Sequence, residues 1–212
     1  HYSHVKAHKE AARSASTAPR RMAGTEAERM FAQLALHRAA LKAIKSRAAK
    51  IAKKREFLPQ YAAYIDGVLE ADGGAQDDVV TTVMLWRLDV GDYDGALEIA
   101  DYALRHDLAM PDYISRDAAT TLVEEIADAA IADPKEDFVD PLETALLLTE
   151  DRDMVDEVRA KAEKALGLVL KDCDPDKAIA EMEAALALDP KCGVKTELNR
   201  LKKAQPASDA GS

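Results

Sequence analysis

The chain has 212 residues, 48% of them hydrophobic, and a formal net charge of −10 at pH 7. This length permits one domain or two small ones, with enough apolar residues for a core. Few glycines and aromatic residues among abundant Ala, Leu, Glu, Asp, Lys and Arg predict an all-α fold. No run approaches the roughly 20 apolar residues that cross a bilayer, and the first thirty residues lack the apolar stretch of a secretory signal. We therefore expect a soluble protein without a membrane partner.

Charge is divided unevenly along the sequence. Residues 1–60 contain 14 Lys and Arg against 4 Asp and Glu, a net charge of +10, whereas the remaining 152 residues contain 15 against 35, a net charge of −20. A basic segment on an acidic body is typical of a polyanion-binding arm. The alternative is a solvated basic helix that pairs with the acidic body, and the counts alone leave both open.

The basic segment begins with residues 1–24, which lack apolar periodicity and are expected to form a flexible arm. Thr25 followed by Glu28 matches a capping box and predicts the start of a long helix. Within that helix, residues recur at alternating spacings of four and three, which predicts a heptad seam with a partner helix from the same chain or from another subunit. The predicted oligomer seam comprises Leu34, His37, Leu41, Ile44 and Ile51. We interpret its histidine as a polar residue that sets register.

No acidic residue occurs from Arg29 to Arg55, so this helix accepts like-charge repulsion that an anionic partner would relieve. The predicted DNA-binding residues are Arg38, Lys42, Lys45, Arg47, Lys50, Lys53, Lys54 and Arg55. Lysine dominates this set and is a point charge rather than a base-reading fork, so we expect contact mainly with phosphates. Pro59 fits the first turn of a second helix, which gives a basic hairpin over residues 25–72 for DNA binding and oligomerisation.

Four aspartates, Asp77, Asp78, Asp89 and Asp92, flank the only tryptophan and permit two interpretations. Metal ligands must converge on one ion, but these pairs would lie roughly 18 Å apart at about 1.5 Å per helical residue. As helix punctuation, Asp77 or Asp78 caps a helix and Gly91 takes the left-handed position at its end. The pattern favours punctuation, and we predict no metal site and no cofactor.

Residues 73–203 are interpreted as an acidic helical body with helix pairs similar to tetratricopeptide repeats. Small residues recur at Ala96, Ala100 and Ala103, and a similar run contains Ala178 and Ala185. Because the two runs are far apart in sequence, we expect separate helical hairpins rather than a solenoid. Residues 204–212 are expected to be disordered, and no catalytic motif is present in the sequence.

Several stretches together carry a family resemblance. They are KKRE with LP within residues 53–59, GVLE at 67–70, GAQDD and TVMLWRLD within 74–89, GALEIA at 95–100 and DEVRAK at 156–161. With these, the sequence from residue 41 onward closely resembles the gpM family of small terminase subunits from Peduovirus-like tailed bacteriophages.

The resemblance implies a role in DNA packaging. A member of this family is expected to bind viral DNA at the packaging (cos) site and to assemble as a homo-oligomeric ring. It would deliver the DNA to a large terminase subunit that holds the ATP-driven motor. Double-stranded viral DNA and the large terminase are therefore the expected partners, in the host bacterial cytoplasm.

The same family is often labelled the endonuclease subunit of the terminase. The alternative function is therefore a metal-dependent endonuclease that cuts cohesive ends with acids such as Asp77, Asp78, Asp89 and Asp92. The sequence offers no strand-bearing nuclease fold, so we expect no catalytic residue in this chain.

Overall fold

The computed structural model describes residues 17–204, which form ten α-helices, two short 3₁₀ turns and no β-strand. The predicted all-α fold class is thus confirmed, and none of these helices is long and apolar enough to span a membrane. Two compact units divide between Ala71 and Asp72. Unit 1 contains α1 (Thr17–Ala43), α2 (Arg47–Phe57), a 3₁₀ turn (Leu58–Gln60) and α3 (Ala62–Ala71). Unit 2 contains α4 (Asp78–Val90), α5 (Tyr93–Arg105), α6 (Ala118–Ala132), a 3₁₀ turn (Glu136–Phe138), α7 (Val139–Leu148), α8 (Asp156–Leu170), α9 (Pro175–Leu188) and α10 (Lys195–Ala204).

The first helix differs from the sequence prediction at both ends. α1 already includes residues 17–24, so the predicted start at Thr25 is wrong, and residues 1–16 of the predicted arm lie outside the described residues. α1 ends at Ala43, so the prediction of one continuous helix through Ile51 is also wrong. The reason is Ser46, whose backbone is extended and whose Oγ accepts a hydrogen bond from the Ala49 amide at 3.3 Å. Serine favours this capping position over a helix interior, and it starts α2 as a separate helix.

Unit 1 buries one side of α1 within the same chain. Leu34 and Leu41 on α1 are 2% and 7% exposed, and Phe57, Tyr61 and Ile65 are buried as well. These three follow one another across the end of α2, the 3₁₀ turn and the start of α3. Pro59 lies in this 3₁₀ turn, so the prediction that it stands in the first turn of the second helix is wrong. The apolar face of α1 therefore has a partner within the chain, which is one of the two alternatives that the heptad pattern left open.

Unit 2 is assembled from helix pairs that approach closely through small residues. α4 packs against α5, where Ala96 and Ala100 are fully buried. α8 packs against α9, α6 and α7. A Cβ atom at Gly167 on α8 would lie 2.7 Å from Met182 Cγ and 3.1 Å from the Ala178 carbonyl oxygen on α9. Helix pairs thus occur at both predicted runs of small residues, while their likeness to tetratricopeptide repeats stays a prediction.

The segment that leads into unit 2 is held at three alternate residues: Asp72, Gly74 and Gln76. Their hydrogen-bond partners lie at the end of α5 and just after it: Tyr102, Arg105, His106 and Ala109. The shortest of these contacts joins the Asp72 carboxylate to His106 Nε2 at 2.7 Å. The Gln76 amide both donates to and accepts from the Ala109 backbone. This irregular segment is therefore fixed by side chains instead of by secondary structure.

Candidate nucleic-acid interface

The eight cations predicted to contact DNA lie on two helices rather than one. Arg38 and Lys42 belong to the last turns of α1, Lys45 to the connection, and the remaining five to α2. Five of the eight residues are exposed, and the other three, Lys50, Lys53 and Lys54, are half-buried. We call these eight residues the basic surface, which the break at residues 44–46 divides between α1 and α2.

The second helix carries most of this positive charge. Its sequence, RAAKIAKKREF, contains five cations and one acid. That acid, Glu56, lies 2.5 Å from Lys53 Nζ, in a pair that is open to solvent, with 38% of the Lys53 side chain and 61% of the Glu56 side chain exposed. An exposed ion pair contributes little stability, and one carboxylate cannot neutralise five cations. α2 therefore retains an excess of positive charge that a polyanion would compensate.

An aromatic contact joins α1 to the end of α2. The His37 and Phe57 rings stack with their centroids 3.6 Å apart and their planes within 1°. His37 Nδ1 lies 2.8 Å from the Tyr61 hydroxyl, and Lys53 Nζ lies 5.2 Å from the Phe57 ring centroid. The cations of α2 are thus held next to α1 through a histidine and two aromatic rings.

Burial controls the charge state of this contact. It lowers the pKa of His37 below the ordinary value of 6.5, and the positive charge of Lys53 lowers it further. Burial also raises the pKa of Tyr61 to about 12, so its hydroxyl keeps its proton at neutral pH. At neutral pH the contact between α1 and the rings is therefore uncharged, although the ammonium of Lys53 lies beside it.

The predicted seam residues occupy different parts of unit 1. Leu34, His37 and Leu41 lie on α1, Ile44 lies in the connection, and Ile51 lies on α2. Because Leu34 and Leu41 are buried by the chain itself, a second subunit could reach them only if unit 1 opened. The role of this seam in self-association stays a prediction.

The four aspartates considered as metal ligands lie around the two ends of α4. Asp77 caps α4 by accepting from the Val79 amide at 2.8 Å, which confirms the predicted cap. Asp92 caps α5 and accepts from Arg87 at 2.7 Å. Gly91 between the helices has a φ of 81°, the left-handed conformation predicted for it. The carboxylates of both caps are thus engaged by backbone amides, and helix punctuation is confirmed.

Asp78 lies in the first turn of α4, and Asp89 lies near its last residue, where it is exposed. Within residues 17–204, no group of three or more His, Cys, Asp and Glu side chains is arranged to hold a metal ion.

Among the open cavities in the described part of unit 2, one has a volume of about 400 Å³ and another of about 370 Å³. The larger is lined by Asp107, Asp117 and Arg152, and the guanidinium of Arg152 donates to the Asp107 carboxylate at 2.6 Å. The smaller lies between α7, α8 and α9, and Glu163 and Glu181 are among its lining residues. Burial, a hydrogen bond to Glu181 and the charge of Glu181 raise the pKa of Glu163 to about 8, because two carboxylates placed together cannot both ionise readily.

Sequence reasoning missed Phe57 and the polar pair Gln33 and Gln60, whose side-chain amides lie 3.0 Å apart. Phe57 immediately precedes the Leu58 and Pro59 that end α2, and an apolar residue at the end of a charged helix is a usable signal of packing. No local pattern connects Gln33 to Gln60, because they meet only after the chain reverses direction.

Comparisons with known proteins identify a family and two relatives of this chain. The family model "Phage small terminase subunit" matches residues 31–157. A protein of Escherichia phage P2 named "Terminase, endonuclease subunit" is 48% identical over 180 residues, covering 83% of this chain and 73% of that protein. A protein of Haemophilus phage HP1 named "Probable terminase, endonuclease subunit" is 30% identical over 90 residues, covering 42% of this chain and 31% of that protein. No solved structure gives a significant match. The family model spans more than half of the sequence, and the chain therefore belongs to the phage small terminase subunit family.

Proposed function

We propose that this terminase subunit binds duplex viral DNA at the packaging (cos) site through the basic surface of unit 1. It assembles with further copies as a ring and delivers the DNA to the large terminase ATPase in the host cytoplasm, while acidic unit 2 serves as the interaction scaffold. One observation carries the DNA-binding proposal: eight cations lie between Arg38 and Arg55 with no acid among them, and five are exposed. Positive charge concentrated in this way supplies the phosphate contacts that dominate affinity for DNA.

The basic surface suits phosphate contacts better than base reading. Five of its eight residues are lysines, and lysine binds phosphate as a point charge without the planar fork with which arginine recognises guanine. About four phosphate contacts per subunit would give a slope of roughly −3.6 in log K against log salt. Several subunits acting together would multiply this slope.

The test is a variant in which four cations of α2 are changed to glutamine: Lys50, Lys53, Lys54 and Arg55. We expect weaker binding to every duplex and a flatter salt dependence, because phosphate contacts carry no sequence information. Fluorescence anisotropy over a salt titration measures both quantities. Binding as tight as that of the parent protein at every salt concentration would refute the proposed interface.

A matched control removes the same charge from unit 2. It changes four exposed lysines to glutamine: Lys191, Lys195, Lys202 and Lys203. If overall charge alone governed affinity, this control would weaken binding as much as the α2 variant does. We expect its affinity and its salt slope to stay close to those of the parent protein.

A second function, metal-dependent DNA cleavage, is raised by the name of the phage P2 relative, which is 48% identical. The use of Asp77 and Asp92 as helix caps argues against them as metal ligands. Purified protein incubated with Mg²⁺ and packaging-site DNA, without the large subunit, should leave the DNA intact. Nicking that is lost in the Asp77→Asn, Asp78→Asn double variant would favour the endonuclease, because asparagine preserves the cap while removing the charge.

Self-association is supported by apolar side chains on the outside of α1. Leu36 is 71% exposed and Phe31 is 40% exposed, on a helix whose other side is already buried by the chain. Native mass spectrometry should detect a closed oligomer, and Leu36→Gln should weaken it. Leu147→Gln is the matched control, because Leu147 on α7 is 70% exposed. A monomer at every concentration would contradict the ring.

A further inference from the structure

His37 lies on α1 and packs against α2, the helix that carries most of the cations proposed to bind DNA. α2 contributes the Phe57 ring, stacked at 3.6 Å, and Lys53, whose ammonium lies 5.2 Å from the centroid of that ring. Beyond the 3₁₀ turn, the Tyr61 hydroxyl lies 2.8 Å from His37 Nδ1. Among these groups, Lys53 is the one whose charge acts on the imidazole, and Glu56 pairs with Lys53 at 2.5 Å.

Both charge states of His37 fit this geometry. A neutral imidazole shares one hydrogen bond with the Tyr61 hydroxyl, and an imidazolium can donate to the same oxygen, because the high pKa of Tyr61 keeps it a neutral hydroxyl. The Phe57 face also accepts a positively charged neighbour. Partial burial and the positive charge of Lys53 both oppose protonation of His37. The effect of Lys53 changes when its ammonium binds an anion.

We propose that His37 takes up a proton from solvent when DNA phosphates bind at Lys53, so that the contact between α1 and α2 links DNA binding to pH. This inference rests on the proposed DNA-binding function. A phosphate beside Lys53 adds negative charge where the imidazole now experiences positive charge, and an opposite charge nearby favours the protonated form. The two equilibria are linked. If DNA binding favours protonation of His37, then protonation of His37 must strengthen DNA binding to the same extent.

The direction and the limit of the effect follow from this linkage. Affinity for DNA rises as pH falls below the ordinary histidine value of 6.5, and it levels off once His37 is protonated in the free protein. Uptake of one proton per subunit changes the Kd by at most about tenfold per pH unit. A fractional uptake, which follows when binding raises the pKa only modestly, changes the Kd by about twofold to fivefold per pH unit.

Nuclear magnetic resonance of the histidine rings in the full chain tests the proposal directly. The titration of His37 is followed in free protein and in a complex with a short duplex. We expect its pKa to be higher in the complex, while the ring signals of His106 in unit 2, which is held by Asp72, serve as the reference that DNA should leave in place. A His37 pKa that is unchanged on saturation with DNA overturns the proposal, whatever the variants show.

Two variants extend the test to affinity. His37→Gln retains a hydrogen-bonding side chain without titrating, and its Kd should lose the pH dependence between about pH 7.5 and pH 5.5 that the parent shows. Lys53→Gln removes the coupling, so the His37 pKa should rise in the free protein and change less with DNA. An absence of DNA binding at every pH would refute the proposed function as well, whereas pH-independent binding by the parent refutes this inference alone.

Discussion

Unit 1 and unit 2 bury their helices by different means. Helices of unit 2 approach closely at small residues, with Ala100, Ala165 and Ala178 fully buried, and large side chains such as Met182 fill the space beside them. In unit 1 the contact depends on rings, with His37 stacked on Phe57. Alanine loses no side-chain entropy on burial and allows close approach, whereas rings fill a wider gap from few positions. The comparison teaches that unit 2 combines close helix approach at small residues with many large buried side chains, whereas the contact of α1 with the end of α2 depends on a few rings.

Charged residues also serve different purposes in the two units. In unit 2, Asp77, Asp92, Asp117 and Asp174 cap helices by accepting hydrogen bonds from backbone amides. In unit 1, α2 carries five cations and one acid, Glu56, which pairs with Lys53. These acids in the second unit therefore support the fold, while the cations in the first belong to the basic surface that we propose binds DNA.

The largest expected effect concerns the close approach in unit 2. Met182→Ala removes a fully buried side chain opposite Gly167, and we expect the free energy of unfolding to fall by about 2–5 kcal/mol. Gly167→Ala alone should also destabilise, by about 1–3 kcal/mol, because its methyl group overlaps Met182. The double variant should lose less than the sum, since the new methyl group enters the vacated space. Urea unfolding followed by circular dichroism measures all three.

The control for this cycle is Leu147→Ala, which truncates an exposed side chain on α7. Its free energy of unfolding should stay within about 0.5 kcal/mol of the parent value. If the losses at positions 167 and 182 were strictly additive, the two residues would not share space, and the description of unit 2 as closely packed would fail.

A smaller effect is expected at the cap of α4. Asp77→Ala should lower the free energy of unfolding of unit 2 by about 1 kcal/mol, because the amides of Val79 and Val80 lose their acceptor. Asp77→Asn should stay close to the parent protein, since asparagine caps helices equally well. Thermal and urea unfolding of both variants provide the measurement. Equal losses in the two would show that the charge, and not the cap, matters at this position.

Tyr61→Phe tests the ring contact of unit 1. The change removes the hydroxyl that lies 2.8 Å from His37 Nδ1, and we expect a loss of about 1 kcal/mol, the usual net contribution of one hydrogen bond. Hydrogen exchange should accelerate in α1 and α2 while the amides of unit 2 keep their protection. Uniform acceleration across both units would contradict the separation drawn here.

The smallest effect is a change in pH dependence at Glu163. Because its pKa is raised from 4.5 to about 8, its contribution to stability is fully present below pH 4.5 and is lost as pH rises through about 8. Glu163→Gln should remove this loss and raise the melting temperature above pH 8 by no more than about 2–4 °C. Solvent screens part of the repulsion at a partly exposed site, which limits the gain. A melting temperature unchanged from pH 5 to pH 9 in both proteins would show that Glu163 and Glu181 do not interact.

Local features of unit 2 could be predicted from sequence. The cap at Asp77 and the left-handed Gly91 both depend on conformational preferences of single residues and their immediate neighbours. The runs of small residues at Ala96 and Ala178 also indicated paired helices, because close approach requires small side chains at helical spacing.

The arrangement of unit 1 could not be predicted in the same way. Residues 30–51 continue the heptad spacing through Ser46, and a seam of this kind does not show whether its partner is another subunit or the same chain. The structure breaks the helix at Ser46 and brings Phe57 onto His37, a contact between residues twenty positions apart. Helical periodicity contains no information about such a reversal of the chain. The sequence therefore showed the cluster of basic residues but did not predict that two separate helices carry them.

The hydrogen bonds of Asp72, Gly74 and Gln76 also determine how unit 2 would bear mechanical tension. Force transmitted along the chain from residue 71 reaches the Asp72 carboxylate before it reaches α4. The three anchored residues are loaded one after another, and each rupture would release two residues, about 7 Å of extended chain. Because each hydrogen bond is weak on its own, we expect this segment to detach in steps under tension before the helices of unit 2 separate.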